Sequence, residues 1–188
     1  MARWEPDAYG RLEKAALALF GEHGPDNVTV AEIAERAGLS ERTFYRHFTD
    51  KREILFSGEE LLREAFVNAI ATTPKAVGPL ETAIGAVRAV VPFLAERREL
   101  SSQRQRILDA DSGLREREVS KLAALSGAMT DALCERRVGL VAAKLAADAA
   151  VSVFKVSFER WISPNNRHSL AWLVDDSTKS LKKLAVED

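Results

Sequence analysis

Apolar residues recur every three or four positions along most of the chain, which is the spacing of helices that bury one face. The first such stretch covers residues 5–23, where Leu12, Ala16 and Phe20 share a side and Gly24-Pro25 ends the pattern. No segment shows the sustained alternation of a half-buried strand. The pattern therefore predicts an all-α chain of about nine helices.

The second and third predicted helices are short and are joined by a tight turn. Thr29 and Glu32 form a T-x-x-E capping box, which predicts a helix beginning at this point. Gly38 ends that helix, because a positive φ has little cost for glycine. Ser40 is the predicted N-cap of the next helix. These signals together predict a helix–turn–helix.

The third predicted helix has two chemically different sides. At 100° per residue, Phe44 and Phe48 lie on one side, whereas Arg42, Tyr45 and Arg46 lie nearly opposite. Two arginines four residues apart destabilise an isolated helix by about 0.2–0.5 kcal/mol. A bound polyanion would offset this repulsion, and a helix with such a face can enter a DNA major groove.

A fourth helix is predicted to begin at Asp50 and to continue to Ile70. Asp50 and Glu53 have the spacing of a second capping box at its start. Lys51 and Arg52 then stand in its first turn, where the helix dipole disfavours cations by a few tenths of a kcal/mol. We interpret this unfavourable placement as a site for DNA phosphates.

After Thr73-Pro74 the predicted helices become longer and the breaks between them weaker. They cover residues 79–96, 100–110, 114–136, 140–162 and 167–185.

The overall composition is that of a soluble globular protein and shows no general preference for polyanions. The 188 residues are 46% hydrophobic and 29% charged, with 27 Lys and Arg against 28 Asp and Glu. The charge is uneven, because residues 36–52 hold five basic and two acidic side chains. The single Cys134, the short apolar runs and the charged N-terminus lead us to expect a cytoplasmic protein without membrane association.

Three motifs stand at fixed spacing between Tyr9 and Leu55. They are TVAEIA at 29–34, AGLS at 37–40 and TFYRHF at 43–48, with Lys51 following. This segment resembles the TetR/AcrR family of bacterial transcriptional regulators. The resemblance implies a repressing homodimer with a three-helix helix–turn–helix domain over residues 5–52 and an effector-binding and dimerisation body over residues 53–188. Its partners would be a palindromic operator in double-stranded DNA and an unknown small effector. Bound to its operator, the protein would be associated with the nucleoid.

The resemblance also implies roles for polar residues around the turn. Phosphate or groove contacts are expected from Thr29, Ser40, Thr43, Tyr45, His47 and Lys51. Arg42 and Arg46 look like base readers, and a bidentate contact to guanine would contribute about 1–3 kcal/mol of discrimination. Ala31 departs from the family pattern, since it has no polar group to reach a base.

The helix predicted over residues 140–162 is apolar on nearly all sides, which favours contact with its own core on one side and a partner subunit on the other. The expected homodimer interface comprises Val151, Phe154, Phe158, Trp161, Leu170, Leu173 and Leu181. The alternative is that all of these side chains belong to the core of a single chain.

An effector pocket is expected among apolar residues of the body, with ordinary core packing as the alternative. The candidate lining residues are Phe66, Ile70, Val87, Val91, Leu94, Ile107, Leu108, Leu125 and Met129. The second half is also similar, more faintly, to the family branch with an acyl-CoA-like ligand-binding domain. That similarity rests on the arginine run Arg97, Arg98, Arg104 and Arg106 before Leu114-Arg115-Glu116-Arg117, and on the Ala-rich helix that ends in Phe158-Glu159-Arg160-Trp161. Arginines at the mouth of a pocket would suit CoA phosphates, and the alternative is that they are ordinary surface arginines.

Catalytic and metal-binding patterns are missing from the sequence. His23, His47 and His168 form no helical ligand pair, and there is no phosphate-binding glycine loop or G-x-S-x-G motif. We therefore expect no enzyme activity, catalytic residue, metal or cofactor. Two alternatives to a DNA-binding regulator remain at this point. One is a helical ligand carrier or protein-interaction module, and the other is an enzyme whose site has no recognisable motif.

Overall fold

The computed structural model describes residues 7–184, and its regular elements within that range are all helical. The α-helices are α1 (Ala8–His23), α2 (Val30–Arg36), α3 (Glu41–His47), α4 (Glu59–Thr72), α5 (Pro79–Ala95), α6 (Arg98–Ala110), α7 (Ser112–Glu135), α8 (Leu140–Ile162) and α9 (Leu170–Leu184). Two 3₁₀ turns cover Pro25–Asn27 and Glu53–Phe56. The predicted all-α fold is confirmed. Residues 5 and 6 of the predicted first helix and residue 185 of the predicted last helix lie outside the described residues.

The local signals around the helix–turn–helix act as predicted. Thr29 is the N-cap of α2 in a complete capping box with Glu32. Gly38 has a φ of 66° in the turn, and Ser40 caps α3 by accepting a hydrogen bond from the backbone N–H of Thr43.

The predicted fourth helix is wrong in its first third. Residues 53–56 form a 3₁₀ turn, and α4 begins only at Glu59. The side chains of Ile54, Leu55 and Phe56 are all about 2% exposed. All three side chains belong to the core of the head of the chain, together with side chains of α1, α2 and α3. Asp50 supports the turn, because its Oδ1 accepts the backbone N–H groups of Arg52 and Glu53.

The described chain forms two compact units. The head unit comprises residues 7–59 and 99–115, and the body unit comprises residues 60–98 and 116–184. This grouping differs from the predicted division after residue 52, because Ile107, Leu108 and Leu114 pack into the core of the head unit. That core also contains buried side chains of α1, α2, α3 and the second 3₁₀ turn.

The body unit is organised around α8, which packs against both α5 and α9. Its core contains Phe66 of α4, Met129 of α7 and Trp161 of α8. Arg136 connects the ends of α7 and α4, since its guanidinium donates to the carbonyl oxygens of Ile70 and Thr73 at 3.0 and 2.6 Å. Within residues 7–184, every helix is too short or too polar to cross a membrane.

Candidate nucleic-acid interface

Helix α3 is anchored by aromatic rings on its inner side. Phe44 is fully buried and its ring centroid lies 5.3 Å from that of Phe48. Tyr9 of α1 packs on Phe48 at 5.2 Å. A helix of seven residues is too short to be stable alone, so these contacts hold it in place and determine which side faces solvent.

The outer side of α3 is cationic and open to solvent. Arg42 and Arg46 are exposed, and Tyr45 between them is 57% exposed. Within residues 7–184, neither guanidinium has a hydrogen bond or an ion pair. Together with Thr43, these residues line a surface depression of about 590 Å³. Two unpaired guanidiniums are therefore available to an external anion.

The turn between α2 and α3 is held from α1. Nη2 of Arg11 donates to the carbonyl oxygens of Ala37 at 2.5 Å and Gly38 at 3.3 Å. The backbone N–H of Leu39 donates to the carbonyl oxygen of Ala34 at 2.8 Å. These bonds fix the angle at which α3 leaves the turn.

The polar residues at the helix starts have structural roles as well. Thr29 Oγ1 accepts the backbone N–H of Glu32 at 3.2 Å, and the Glu32 carboxylate accepts the backbone N–H of Thr29 at 2.7 Å. This backbone hydrogen bond is the largest cause of a lowered pKa for Glu32. The hydroxyls of Ser40 and Thr43 lie 3.0 Å apart. His47, at the end of α3, is exposed and meets the Tyr9 ring edge-on.

Lys51 and Arg52 are not in the first turn of a helix, so our interpretation of them as unfavourable helix-start cations is wrong. The Nζ of Lys51 donates to the carbonyl oxygens of Asp26 and Val28 at 3.0 and 2.8 Å. Arg52 forms an ion pair with Asp26. The structure nevertheless brings Lys51 beside the start of α2, next to Thr29.

Four residues of the expected dimer interface lie in the chain's own core: Phe154, Trp161, Leu170 and Leu173 are at most 8% exposed. Val151, Phe158 and Leu181 are partly buried against the same core. The large apolar side chains that α8 and α9 expose are others, namely Leu140, Val141, Leu145, Val156, Trp172 and Leu184. Positions 141, 145, 152 and 156 share one side of α8, so the helical repeat groups the exposed residues but does not show which side of the helix is exposed.

The structure divides the expected pocket residues between two cores. Phe66, Ile70, Val87, Val91, Leu94, Leu125 and Met129 belong to, or pack against, the core of the body unit. Ile107 and Leu108 lie in the core of the head unit instead. The nine residues are therefore not brought together around one site.

Two of the arginines expected to suit CoA phosphates are occupied by backbone carbonyls. Arg98 donates to the carbonyl oxygens of Trp161, Ser163 and Asn166 at 3.0–3.2 Å, where α8 ends. Arg104 donates to the carbonyl oxygen of Leu55 at 2.5 Å. Arg98 and Arg104 are thus structural links within their units. Across the described part of the chain, no group of three or more His, Cys, Asp and Glu side chains could hold a metal ion.

Comparison with known proteins finds sequence similarity over part of the chain. The family model for bacterial regulatory proteins of the tetR family matches residues 12–57. The HTH-type transcriptional regulator TcmR of Streptomyces glaucescens is 38% identical over 81 residues, which is 43% of this chain and 36% of TcmR. The HTH-type transcriptional regulator BetI of Agrobacterium fabrum is 37% identical over 78 residues, 41% of this chain and 38% of BetI. The match thus spans little more than a third of these relatives' length.

Similarity of fold extends over nearly the whole chain. The fatty acid degradation regulator FadR of Bacillus halodurans superposes with a TM-score of 0.60 at 20% identity, covering 95% of this chain and 96% of that one. The transcriptional regulator FadR of Bacillus subtilis, solved in complex with stearoyl-CoA, gives a TM-score of 0.63 at 19% identity, covering 92% and 97%. At these identities the superpositions establish a shared fold.

Proposed function

Because residues 12–57 match the tetR family model, we propose that this chain is a regulator of the TetR/AcrR family that binds an operator in duplex DNA through its helix–turn–helix and regulates transcription there. Family members are transcriptional regulators and not enzymes. The observation that carries the proposal is the outer side of α3, where Arg42 and Arg46 are exposed and unpaired among the described residues.

Helix α3 would lie in the major groove with Arg42 and Arg46 towards base edges. Arginine presents parallel N–H donors that match the two acceptors of guanine. Tyr45, Thr43 and His47 would contact the neighbouring backbone. Such an arrangement uses the side of α3 that the Phe44 and Phe48 anchors turn outwards, so no refolding of the head is needed for docking.

The start of α2 would hold a second stretch of phosphates. Thr29 and Lys51 lie at that helix start, where the partial positive charge of the dipole attracts anions. Ser40 stands at the start of α3 in the same way. Lys51 is already held against two backbone carbonyls, so little side-chain entropy would be lost when it meets a phosphate.

We further propose a homodimer that reads a palindromic operator as a repressor in the cytoplasm. The exposed apolar side chains Val141, Leu145 and Val156 lie on one side of α8, and α9 exposes Trp172. Apolar side chains on one helix side are typical of a subunit interface. A twofold axis through such an interface would present two α3 helices to two half-sites.

An apolar or amphipathic effector would act in the body unit, with residues 60–98 and 116–184 as the binding and dimerisation part. The body core offers apolar candidates such as Phe66, Ile70 and Met129. An acyl-CoA is one such effector, and its support is the similarity of fold to FadR of Bacillus subtilis, which was solved with stearoyl-CoA. An effector that prefers one spacing of the two heads would shift the DNA-binding equilibrium by its difference in affinity for the two states.

The test begins with selection of bound fragments from random duplexes, followed by binding titrations over a range of salt. We expect Arg42→Ala and Arg46→Ala each to relax one base position and weaken binding by about 1–3 kcal/mol. Lys51→Ala should weaken all sequences and lower the salt slope by about one unit. Arg167→Ala, which removes an exposed arginine of the body unit, is the control for lost charge. Unchanged affinity and slope in the three head variants would refute the docking.

A further inference from the structure

One ionic cluster in the head unit is not used by the proposed DNA contacts. The guanidinium of Arg52 forms an ion pair with Asp26, and its Nη2 lies 3.9 Å from Oδ2 of Asp111. Asp26 is in the 3₁₀ turn before α2, and Asp111 is at the corner between α6 and α7. Arg52 therefore stands between two carboxylates from segments far apart in the sequence.

The Asp111 side of this cluster is fixed by the fold. Asp111 Oδ1 accepts the backbone N–H of Leu114 at 2.9 Å, in the first turn of α7. Leu114 is 1% exposed and belongs to the core of the head unit, as do Ile107 and Leu108 of α6. The carboxylate that faces Arg52 is thus attached to a buried part of the head.

The Asp26 side leads to the surface proposed to meet DNA. Arg52 holds the Asp26 side chain, and the adjacent Lys51 holds the backbone carbonyls of Asp26 and Val28. Thr29, the N-cap of α2, follows directly. Lys51 and Arg52 together therefore hold Asp26 and Val28, just before the N-cap of α2.

We propose that Arg52 is a positioning residue for DNA binding: by bridging Asp26 and Asp111, it holds the start of α2, with Thr29 and Lys51, against the corner between α6 and α7. This inference rests on the proposed function. A shift of that corner would be transmitted to the phosphate-facing residues through the ion pairs. The hydrogen bond from Arg52 lowers the pKa of Asp26, in agreement with a bridge that is charged at neutral pH.

Removing one carboxylate distinguishes a positioning role from simple electrostatics, because the two explanations predict opposite changes in DNA affinity. Asp111→Asn keeps a side-chain oxygen for the Leu114 N–H but removes a negative charge from a protein that binds a polyanion. Electrostatics alone predicts tighter DNA binding. Loss of the bridge predicts binding weaker by about two- to fivefold, the range of exposed ion pairs. Asp109→Asn is the matched control, since exposed Asp109 lies two residues away and, within residues 7–184, its carboxylate accepts a hydrogen bond only from Gln105 of its own helix. The bond from Arg115 goes to the backbone carbonyl of Asp109, which the substitution leaves in place.

A second variant tests whether Arg52 itself contacts phosphate. If Arg52 is a positioning residue, Arg52→Gln weakens operator binding at a given salt and leaves the slope of log affinity against log salt unchanged. If it is a phosphate ligand, the slope falls by about one unit. Circular dichroism melts of the variants check that each is folded.

The experiment uses the full-length protein and the duplex selected by the wild type, and it adds hydrogen exchange of residues 26–36 in the absence of DNA. We expect faster exchange and weaker binding in Asp111→Asn, neither change in Asp109→Asn, and an unchanged slope in Arg52→Gln. Equal or tighter binding by Asp111→Asn, or a reduced slope in Arg52→Gln, overturns the inference while leaving the proposed function intact. A wild-type protein that binds no duplex refutes the proposed function, and the exchange comparison then still decides whether the bridge holds the start of α2.

Discussion

Replacing Gly38 by alanine should loosen the helix–turn–helix. Gly38 has a φ of 66°, a left-handed conformation in which a β-carbon costs roughly 1–2 kcal/mol. The added Cβ would also lie 2.8 Å from Nη2 of Arg11. That atom is at the end of a flexible side chain and can move, but it would leave its hydrogen bond to the carbonyl oxygen of Ala37, at a cost of about 1 kcal/mol. The two effects together destabilise the turn by about 2–3 kcal/mol.

Hydrogen exchange followed by mass spectrometry is the suitable assay, because it measures the opening of α2 and α3 separately from the body. The fluorescence of Trp161 and Trp172 would not serve, since both lie in the body unit. A loss of 2–3 kcal/mol in opening free energy corresponds to amide exchange roughly 30- to 150-fold faster in peptides from α2 and α3. DNA affinity should fall in parallel, because α3 would no longer leave the turn at a fixed angle.

Gly21→Ala is the matched control, because it makes the same chemical change within α1. A Cβ at Gly21 meets nothing within 4 Å, and its φ is not positive. Alanine there should stabilise the helix by about 0.5–1 kcal/mol and slow exchange. Gly38→Asn should lose less than Gly38→Ala, because asparagine tolerates the left-handed conformation. Unchanged or slower exchange in Gly38→Ala would show that the turn does not hold α2 and α3 together.

Three further predictions concern the cap of α2, the end of α4 and the exposed side of α8. Thr29→Ala should destabilise α2 by about 1 kcal/mol, measured by hydrogen exchange, whereas Thr29→Ser should retain the cap. The hydrogen bond from the Thr29 backbone N–H lowers the pKa of Glu32 below its ordinary 4.5. The capping box should therefore be fully stabilising above pH 4.5 and should weaken as the pH falls through the lowered pKa. Hydrogen exchange measured against pH should show this dependence, and Glu32→Gln should remove it. Arg136→Gln should destabilise the body unit by about 1–3 kcal/mol in denaturation followed by tryptophan fluorescence, while Arg137→Gln, which removes an exposed neighbouring charge, should have little effect. Leu145→Glu should convert the proposed dimer to a monomer in light scattering without lowering the melting temperature of the monomer, because Leu145 is 66% exposed.

The features that the sequence predicted well depend on residues close together in the chain. The capping box of Thr29 and Glu32 and the positive φ of Gly38 are such features, since each is determined within about four residues. The outward side of α3 followed from helical geometry once Phe44 and Phe48 were assigned to the core. Local chemistry thus sufficed for the fold class and for the cationic surface.

The features that the sequence predicted poorly depend on contacts between distant segments. The late start of α4 is one such feature: Ile54, Leu55 and Phe56 pack into the core against α1, α2 and α3, and no local pattern showed that they would do so from a 3₁₀ turn. Ile107 and Leu108 have a helical apolar spacing that fits either core. On α8, Phe154 and the exposed Val156 are both apolar, and only the packing of α5 and α9 decides which of them faces solvent.

The packing of Ile107, Leu108 and Leu114 into the head unit has a consequence for recombination between regulators. The similarity to the tetR family model ends at residue 57, a natural place to join the recognition part of one protein to the sensor part of another. A chimera joined there would receive foreign side chains at these three buried positions. Exchange of DNA specificity between relatives therefore requires that two segments be inherited together, residues up to 59 and residues 99–115. Hybrids with a single crossover should be selected against wherever the side chains at positions 107, 108 and 114 differ in volume between the parents.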